Sequence, residues 1–424
     1  MAAIIAAVGS VIGYVGAEVA EESLFERILW PQRFYNVLDF TTAVKLTILT
    51  PMGGPLHRAA IGVLDHFRQH GLYSGRAVGT MLGTAFFPDR GVAYSHHNTA
   101  TEKERNIQKQ SRNCIWVEVL RHIKPGTQAS TTVSRNAATP GIEAQVMRKV
   151  KRSVHPVFRL RLEVIAVDAL PQMATVIKEN HFTIWMMLGV LLSELVSVGV
   201  AVAVGAIGRY YVFTALLGIP IVFKLLAIAV SVQREDFQLD HLLPKTFDPT
   251  PAIGQLPPEP TPPAESQLQF FELLDPKTGI SLIETSHPDI LHTFTRHYGH
   301  PLRATSLDRT MEIFNIVIVY VFALKFPAEL IALAWAPEVV QWMWLAYQVY
   351  AVSAMHLARL VGWTGCGRTE GLLAKVLQDN GIAYLASGNG ASVVRAVLDV
   401  EVFAGVAEAE ARRQEILSES LRLK

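Results

Sequence analysis

Four ionisable residues stand inside long apolar runs, where charge is costly. Glu194 interrupts the run from Phe182 to Ile207, Lys224 the run from Tyr211 to Val232, and Lys325 and Glu329 the run from Met311 to Ala336. A charged side chain at a bilayer centre costs about 2.5–3.5 kcal/mol on insertion scales, so such residues face a partner or a cavity. The spacing supplies partners. Glu194 lies 15 residues before Arg209 (209 − 194) and Lys224 lies 15 after it (224 − 209), so an antiparallel hairpin turning at Arg209 brings the two to equal depth. Lys325 and Glu329 are four apart, on one helical face. Such pairs suit a proton or ion path, and they suit equally a clasp that holds helices in register.

Other residue groups could bind ligands. His287, His292, His297 and His300 gather near Asp289 just before the third apolar run. Imidazole suits iron and zinc, which makes this group a metal candidate for a membrane-embedded, lipid-modifying enzyme. The spacing departs from an HxxHH box, because His297-x-x-His300 has no adjacent third histidine. His66 with His70, and the doublet His96-His97, are looser groupings. Cys366 follows an apolar run among small residues and beside Arg368, a setting suited to S-palmitoylation. Arg148, Lys149, Lys151 and Arg152 form a basic cluster that could hold anionic lipid headgroups at about 1 kcal/mol per residue. The turn Ala386-Ser387-Gly388-Asn389-Gly390-Ala391-Ser392 has a G-x-G core without a third glycine or a Walker lysine, so it reads as a turn and cap rather than a phosphate cradle. No G-x-S-x-G, HExxH or EF-hand pattern occurs. No catalytic constellation and no cofactor follow from these residues.

The elements that must position these groups are helices. Residues 181–233 read as a first transmembrane hairpin and 311–361 as a second, each apolar run exceeding the ~20 residues needed to cross ~30 Å of hydrocarbon. The expectation is therefore a mainly α, multi-pass helical membrane protein with two transmembrane hairpins and four firm spans. The apolar N-terminal segment 1–24 is a candidate fifth span, and Gly9, Gly13 and Gly16 would let it pack closely on another helix. Small α+β cytosolic parts complete the picture. These are an N-terminal region over 25–180, a Pro-rich linker over 234–265, a β-hairpin and His-rich juxtamembrane segment over 266–310, and a C-terminal region over 362–424.

Within them, VFRLRLEVI from Val157 alternates apolar and charged residues, as a strand does. LQFFELL-DPKTG-ISLIETS predicts a β-hairpin closed at Gly279. IAYLA reads as a strand, and Ser392 to Leu423 as largely helical, with Ile416, Leu417 and Leu421 forming an apolar stripe suited to a partner helix. Lys178 and Arg234 flank the first hairpin and Arg303 and Arg368 the second, which favours cytosolic ends under the positive-inside rule.

Composition narrows function without fixing it. The chain has 424 residues, 50% hydrophobic and 18% charged, with net charge +1. That balance excludes a global basic field, so nucleic acid is not an expected partner. Two cysteines, 114 and 366, give no zinc or disulfide spacing. The expected partners are the lipid bilayer, anionic lipids, and a protein partner or further copies of the chain. The leading expectation is a membrane-anchored scaffold or partner-docking protein. An oligomeric transporter or channel subunit using the Glu/Lys pairs is the alternative, and a membrane-embedded lipid-modifying enzyme the third.

Overall fold

The computed structural model describes residues 2–20, 23–35, 39–49, 51–69, 92–97, 109–110, 115–124, 155–172, 174–178, 184–231, 269–275, 278–286, 306–363, 367–386 and 392–422. The basic cluster Arg148, Lys149, Lys151 and Arg152, the Pro-rich linker, His287, His292, His297 and His300, Cys366 and the turn at 387–391 lie outside the described residues. In chain order the helices are α1 (Ala2–Val19), α2 (Ser23–Leu29), α3 (Pro31–Phe34), α4 (Phe40–Leu49), α5 (His57–Gln69), α6 (Ile115–His122), α7 (Ile184–Ser193), α8 (Leu195–Gly208), α9 (Tyr211–Ala229), α10 (Ser306–Leu333), α11 (Glu338–Val361), α12 (Thr369–Asn380) and α13 (Val406–Arg422). The strands are β1 (Ala93–His96), β2 (Lys109–Gln110), β3 (His155–Ala166), β4 (Val176–Ile177), β5 (Gln269–Asp275), β6 (Gly279–Thr285), β7 (Ile382–Ala386) and β8 (Ser392–Phe403). The chain divides into two units, each built from three separate segments. A helical unit takes 1–88, 179–235 and 299–369, and a sheet unit takes 89–178, 236–298 and 370–424.

The helical unit corrects the expected count of spans. Among the described residues two helices are long and apolar enough to cross a membrane, α9 and the Thr310–Leu333 part of α10. The count reaches three if α7 and α8, bent by 52° at their junction, are taken as one broken span. The four firm spans and the possible fifth are therefore not found among the described residues. The reasons are physical. The apolar part of α1, Ile4–Val19, is shorter than 18 residues and falls short of a ~30 Å core. Helix α11 is 24 residues long, but Glu338, Gln341, Gln348, His356 and Arg359 lower its hydropathy, and Gln341 and Gln348 are buried against other helices.

Close packing holds α1 to α11 and α10. A methyl added at Gly9 would meet the Trp344 ring at 2.8 Å, and one at Gly13 would meet the Phe326 ring at 2.5 Å. Without a Cβ, α1 lets both rings reach its backbone.

The parts outside the helical unit are not small separate pieces. Strands from all three segments of the sheet unit form one mixed sheet with the order β2-β1-β5-β6-β3-β8-β7-β4. The 12-residue β3 lies between β6, to which it runs parallel, and β8, to which it runs antiparallel. Its alternation buries Phe158, Leu160 and Leu162 while Arg159 and Arg161 reach Glu284 on β6. The β5–β6 hairpin forms at the predicted turn, with Asp275 opposite Gly279, and Gly279 takes a φ of 82° that favours glycine. Arg121 of α6 donates to Asp275 through Nε at 2.7 Å and Nη2 at 3.0 Å, fixing the hairpin end with a two-pronged ion pair.

The tail differs from its helical reading. Ser392–Phe403 is a strand, because Val393, Val394, Ala396 and Leu398 are buried on pairing with β3 and β7. Two residues of the stripe on α13, Ile416 and Leu417, pack within the sheet unit. Ala409 and Ile416 are buried with Val157, Phe270 and Leu282 of the sheet, and Leu417 packs against the same cluster.

One buried carboxylate ties α13 to the sheet. Glu272 on β5 lies 2.9 Å from His97 Nε2 and accepts from Arg413 Nη2 at 2.7 Å. Burial alone would raise its pKa, but the hydrogen bonds from His97 and Arg413 outweigh it and hold the carboxyl below its ordinary value of 4.5. A depressed folded pKa contributes stability that is full above the unfolded value and is lost as pH falls through the lower folded one. Glu272→Gln is thus expected to lower the thermal midpoint at pH 7 by the equivalent of about 1–3 kcal/mol. Melting curves from pH 7 downward check this: the gap between variant and parent should close below about pH 4.5, and a gap independent of pH would refute it.

Candidate functional site

The residues predicted to do chemistry meet at the centre of the helical unit, around a stretch of irregular backbone. Pro51-Met52-Gly53-Gly54-Pro55-Leu56 joins α4 to α5, and all six residues are buried. Two prolines bracketing two glycines cannot continue a helix. The backbone polar groups therefore need partners from elsewhere.

The first partner comes from the break between α7 and α8. Ser193 Oγ bonds back to the Val190 carbonyl at 2.8 Å, and Ser197 Oγ bonds to the Glu194 carbonyl at 2.9 Å. Serines that bond the backbone in this way bend helices, and the 52° bend falls at Glu194. The bend aims the Glu194 carboxylate inward. It accepts from the Met52 N–H at 3.0 Å and from Ser197 Oγ at 2.6 Å, and it pairs with Lys224 of α9 at 2.6 Å. Lys224 also donates to Ser193 Oγ at 2.8 Å.

The second partner comes from α10. Lys325 donates to the Gly53 carbonyl at 3.0 Å and to Glu329 at 2.5 Å. Trp344 Nε1 and Gln348 Nε2 of α11 donate to the other Glu329 oxygen at 3.1 and 3.2 Å, and Gln348 Nε2 also reaches the Gly53 carbonyl at 3.2 Å. A Cβ on Gly53 would overlap the Tyr347 hydroxyl, so only glycine lets that ring lie against the backbone. The Met52–Gly53 backbone is thus gripped from two sides by two ion pairs.

All four charged groups are at most 3% exposed. Removing charges from water costs several kcal/mol per ion, and the cost is met only when geometry and hydrogen bonding are nearly complete. Here they are. Each carboxylate accepts from a lysine and two further donors, and each ammonium has a second acceptor besides its carboxylate.

Glu194 is brought to Lys224 and Lys325 to Glu329, the two pairs that spacing suggests. Sequence reasoning missed the link between the pairs: Met52 and Gly53, with Tyr347, Trp344 and Gln348. Two signals pointed there. One is the P-M-G-G-P string, and the other is the polar residues of α11 within an otherwise apolar run. Two further candidates belong to the sheet unit. His96 stacks on Phe271 at 4.5 Å and His97 pairs with Glu272, both within the sheet unit. Among the described residues no group of three or more His, Cys, Asp or Glu side chains could hold a metal ion.

Breaking one partner of a buried pair strands a charge at a cost of about 3–5 kcal/mol, whereas replacing both by apolar residues is near neutral. Glu194→Leu or Lys224→Leu alone is therefore expected to cut the yield of folded protein sharply, and the double variant to restore it, as read by size-exclusion chromatography. A double variant as unstable as either single would contradict the pairing. Gly53→Ala is expected to be as damaging as either single charge change, because the methyl must displace Tyr347. Comparison with protein-family models, curated proteins and solved structures finds no match for this chain.

Proposed function

We propose that the helical unit is a membrane-embedded anchor and that the protein works as a scaffold, offering its sheet unit to a protein partner or to further copies of itself. The observation that carries this reading is the saturation of Glu194, Lys224, Lys325 and Glu329. The groups on which a transport path would run are engaged by one another and by the Met52–Gly53 backbone. The membrane reading is supported by the two or three helices of sufficient length and apolarity. Exposed Ile184, Val202, Ile207, Val212, Val222 and Leu324 on those helices support it too, since large contiguous apolar surface implies a non-aqueous neighbour. The lysines and arginines that flank the apolar runs favour a cytosolic placement of the sheet unit.

A second reading has a specific observation behind it. Broken helices and irregular backbone at membrane depth occur where they are buried in protein or line a cavity, and they are common at transporter sites. The break at Glu194 and the buried 51–56 segment have that form, so an oligomeric transporter or channel subunit is the alternative.

Purified protein in liposomes loaded with a pH-sensitive dye separates the two. The scaffold reading expects proton flux equal to that of empty liposomes, under both pH and sodium gradients. Flux above that level, abolished in the double variant Glu194→Leu/Lys224→Leu, would establish transport instead. The membrane reading itself expects the protein to remain in the pellet after alkaline carbonate extraction.

A further inference from the structure

A second polar cluster in the helical unit is unrelated to the ion-pair site. It forms where α2, α3, the first turns of α4 and the segment after α11 meet. Two contacts fix this meeting. Thr369 Oγ1 donates to the Arg33 carbonyl at 3.3 Å, and a Cβ on Gly367 would lie 2.6 Å from the Phe34 carbonyl oxygen. Cations from three parts of the chain lie over aromatic rings there. The Arg27 and Arg368 guanidiniums both lie against the Phe34 ring, at 5.4 and 4.6 Å, Arg33 lies over Trp30 at 4.7 Å, and Lys45 Nζ over Trp363 at 4.6 Å. Arg33 and Arg368 are only 6% and 7% exposed.

Arg368 faces the Glu26 carboxylate at 3.7 Å, too long for a hydrogen bond, and among the described residues its buried Nε has no hydrogen-bond acceptor. A buried donor left in that state costs about 1–3 kcal/mol, which an arriving acceptor would recover. The elements that carry the cations also carry exposed apolar side chains. Phe40 is 85% exposed and Leu360 83%, with Trp363 at the border. Cations, a tryptophan and exposed apolar side chains carried by the same elements suit the headgroup-to-acyl boundary of a lipid.

We propose that this cluster binds the phosphate of an anionic phospholipid. Arg368 donates to the phosphate oxygens, for which guanidinium geometry is suited, and Arg33 adds positive charge beside it. Lys45 adds charge at the rim, and Phe40 and Leu360 meet the acyl chains. The assignment rests on the membrane reading given above.

The test is thermal unfolding of the purified protein in neutral detergent with added phosphatidylglycerol, phosphatidylcholine or inorganic phosphate. Phosphatidylglycerol is expected to raise the midpoint by about 3 °C or more, while phosphatidylcholine and inorganic phosphate leave it unchanged. Arg368→Gln should abolish that rise and Lys45→Gln should reduce it. The Lys45 side chain is only partly buried, so that variant carries the test if Arg368→Gln does not fold. Equal rises with both lipids, or a Lys45→Gln response equal to that of the parent, would overturn the proposal. A rise with inorganic phosphate alone would overturn the lipid assignment in favour of a soluble phosphate ester. Failure of the membrane reading shows separately, as release of the protein by carbonate.

Discussion

The helical unit depends on satisfying the backbone of one buried, non-helical segment. Pro51 to Leu56 runs through the interior with all its residues buried, where an unpaired peptide group costs about as much as a lost hydrogen bond with no water to replace it. The solution is ionic. Lys325 supplies a cation to the Gly53 carbonyl and Glu194 an anion to the Met52 N–H, and each charge then needs its own counterion. Lys224 and Glu329 follow from that need. The 52° bend, the serines that produce it and the glycine that admits Tyr347 are consequences of the same constraint.

Helix α11 shows why the topology was less legible than the chemistry. Its polar side chains look like a surface pattern, yet Gln341, Gln348 and Tyr350 serve the loose ends of other elements. Gln341 donates to the carbonyls of Leu333 and Ala336 at the end of α10, at 3.2 and 2.9 Å. Tyr350 donates to the last carbonyls of α4, those of Thr47 and Ile48, at 3.3 and 2.8 Å. Terminal helix carbonyls have no partner in their own helix, so these side chains complete α10 and α4 at the expense of the apolarity of α11. Length and a run of apolar letters suggested a span. The polar residues within it were the evidence that the helix is engaged with protein.

The charges themselves were readable because depth and helical phase are properties of spacing. Glu194 and Lys224 are equidistant from Arg209, and Lys325 and Glu329 are four apart. In the sheet unit, alternation along β3 and the DPKTG turn were equally local signals. Strand β8 was not. Its Arg395, Ala396, Asp399 and Glu401 resemble a helical surface, and twelve residues of pairing with β3 decide the matter instead. That partner lies more than two hundred residues earlier in the chain, and tertiary context of this kind overrides local propensity. The same holds for α13, whose Ile416 and Leu417 find their cover in the sheet. The two units therefore differ in kind. One is a helical body with its charges turned inward on each other, and the other is a sheet assembled from three separated segments.

The central claim is that the Pro51–Leu56 segment is a closed part of the interior, held through the Met52 N–H and the Gly53 carbonyl, rather than the lining of a wet path. Hydrogen exchange followed by mass spectrometry on the protein in lipid nanodiscs tests it directly, through peptides that cover Met52 to Leu56. The account predicts that these amides exchange as slowly as the core amides of α10, although they belong to no helix. Rapid exchange there, with α10 protected, would mean that water reaches the two ion pairs, and the clasp would give way to a conduction site.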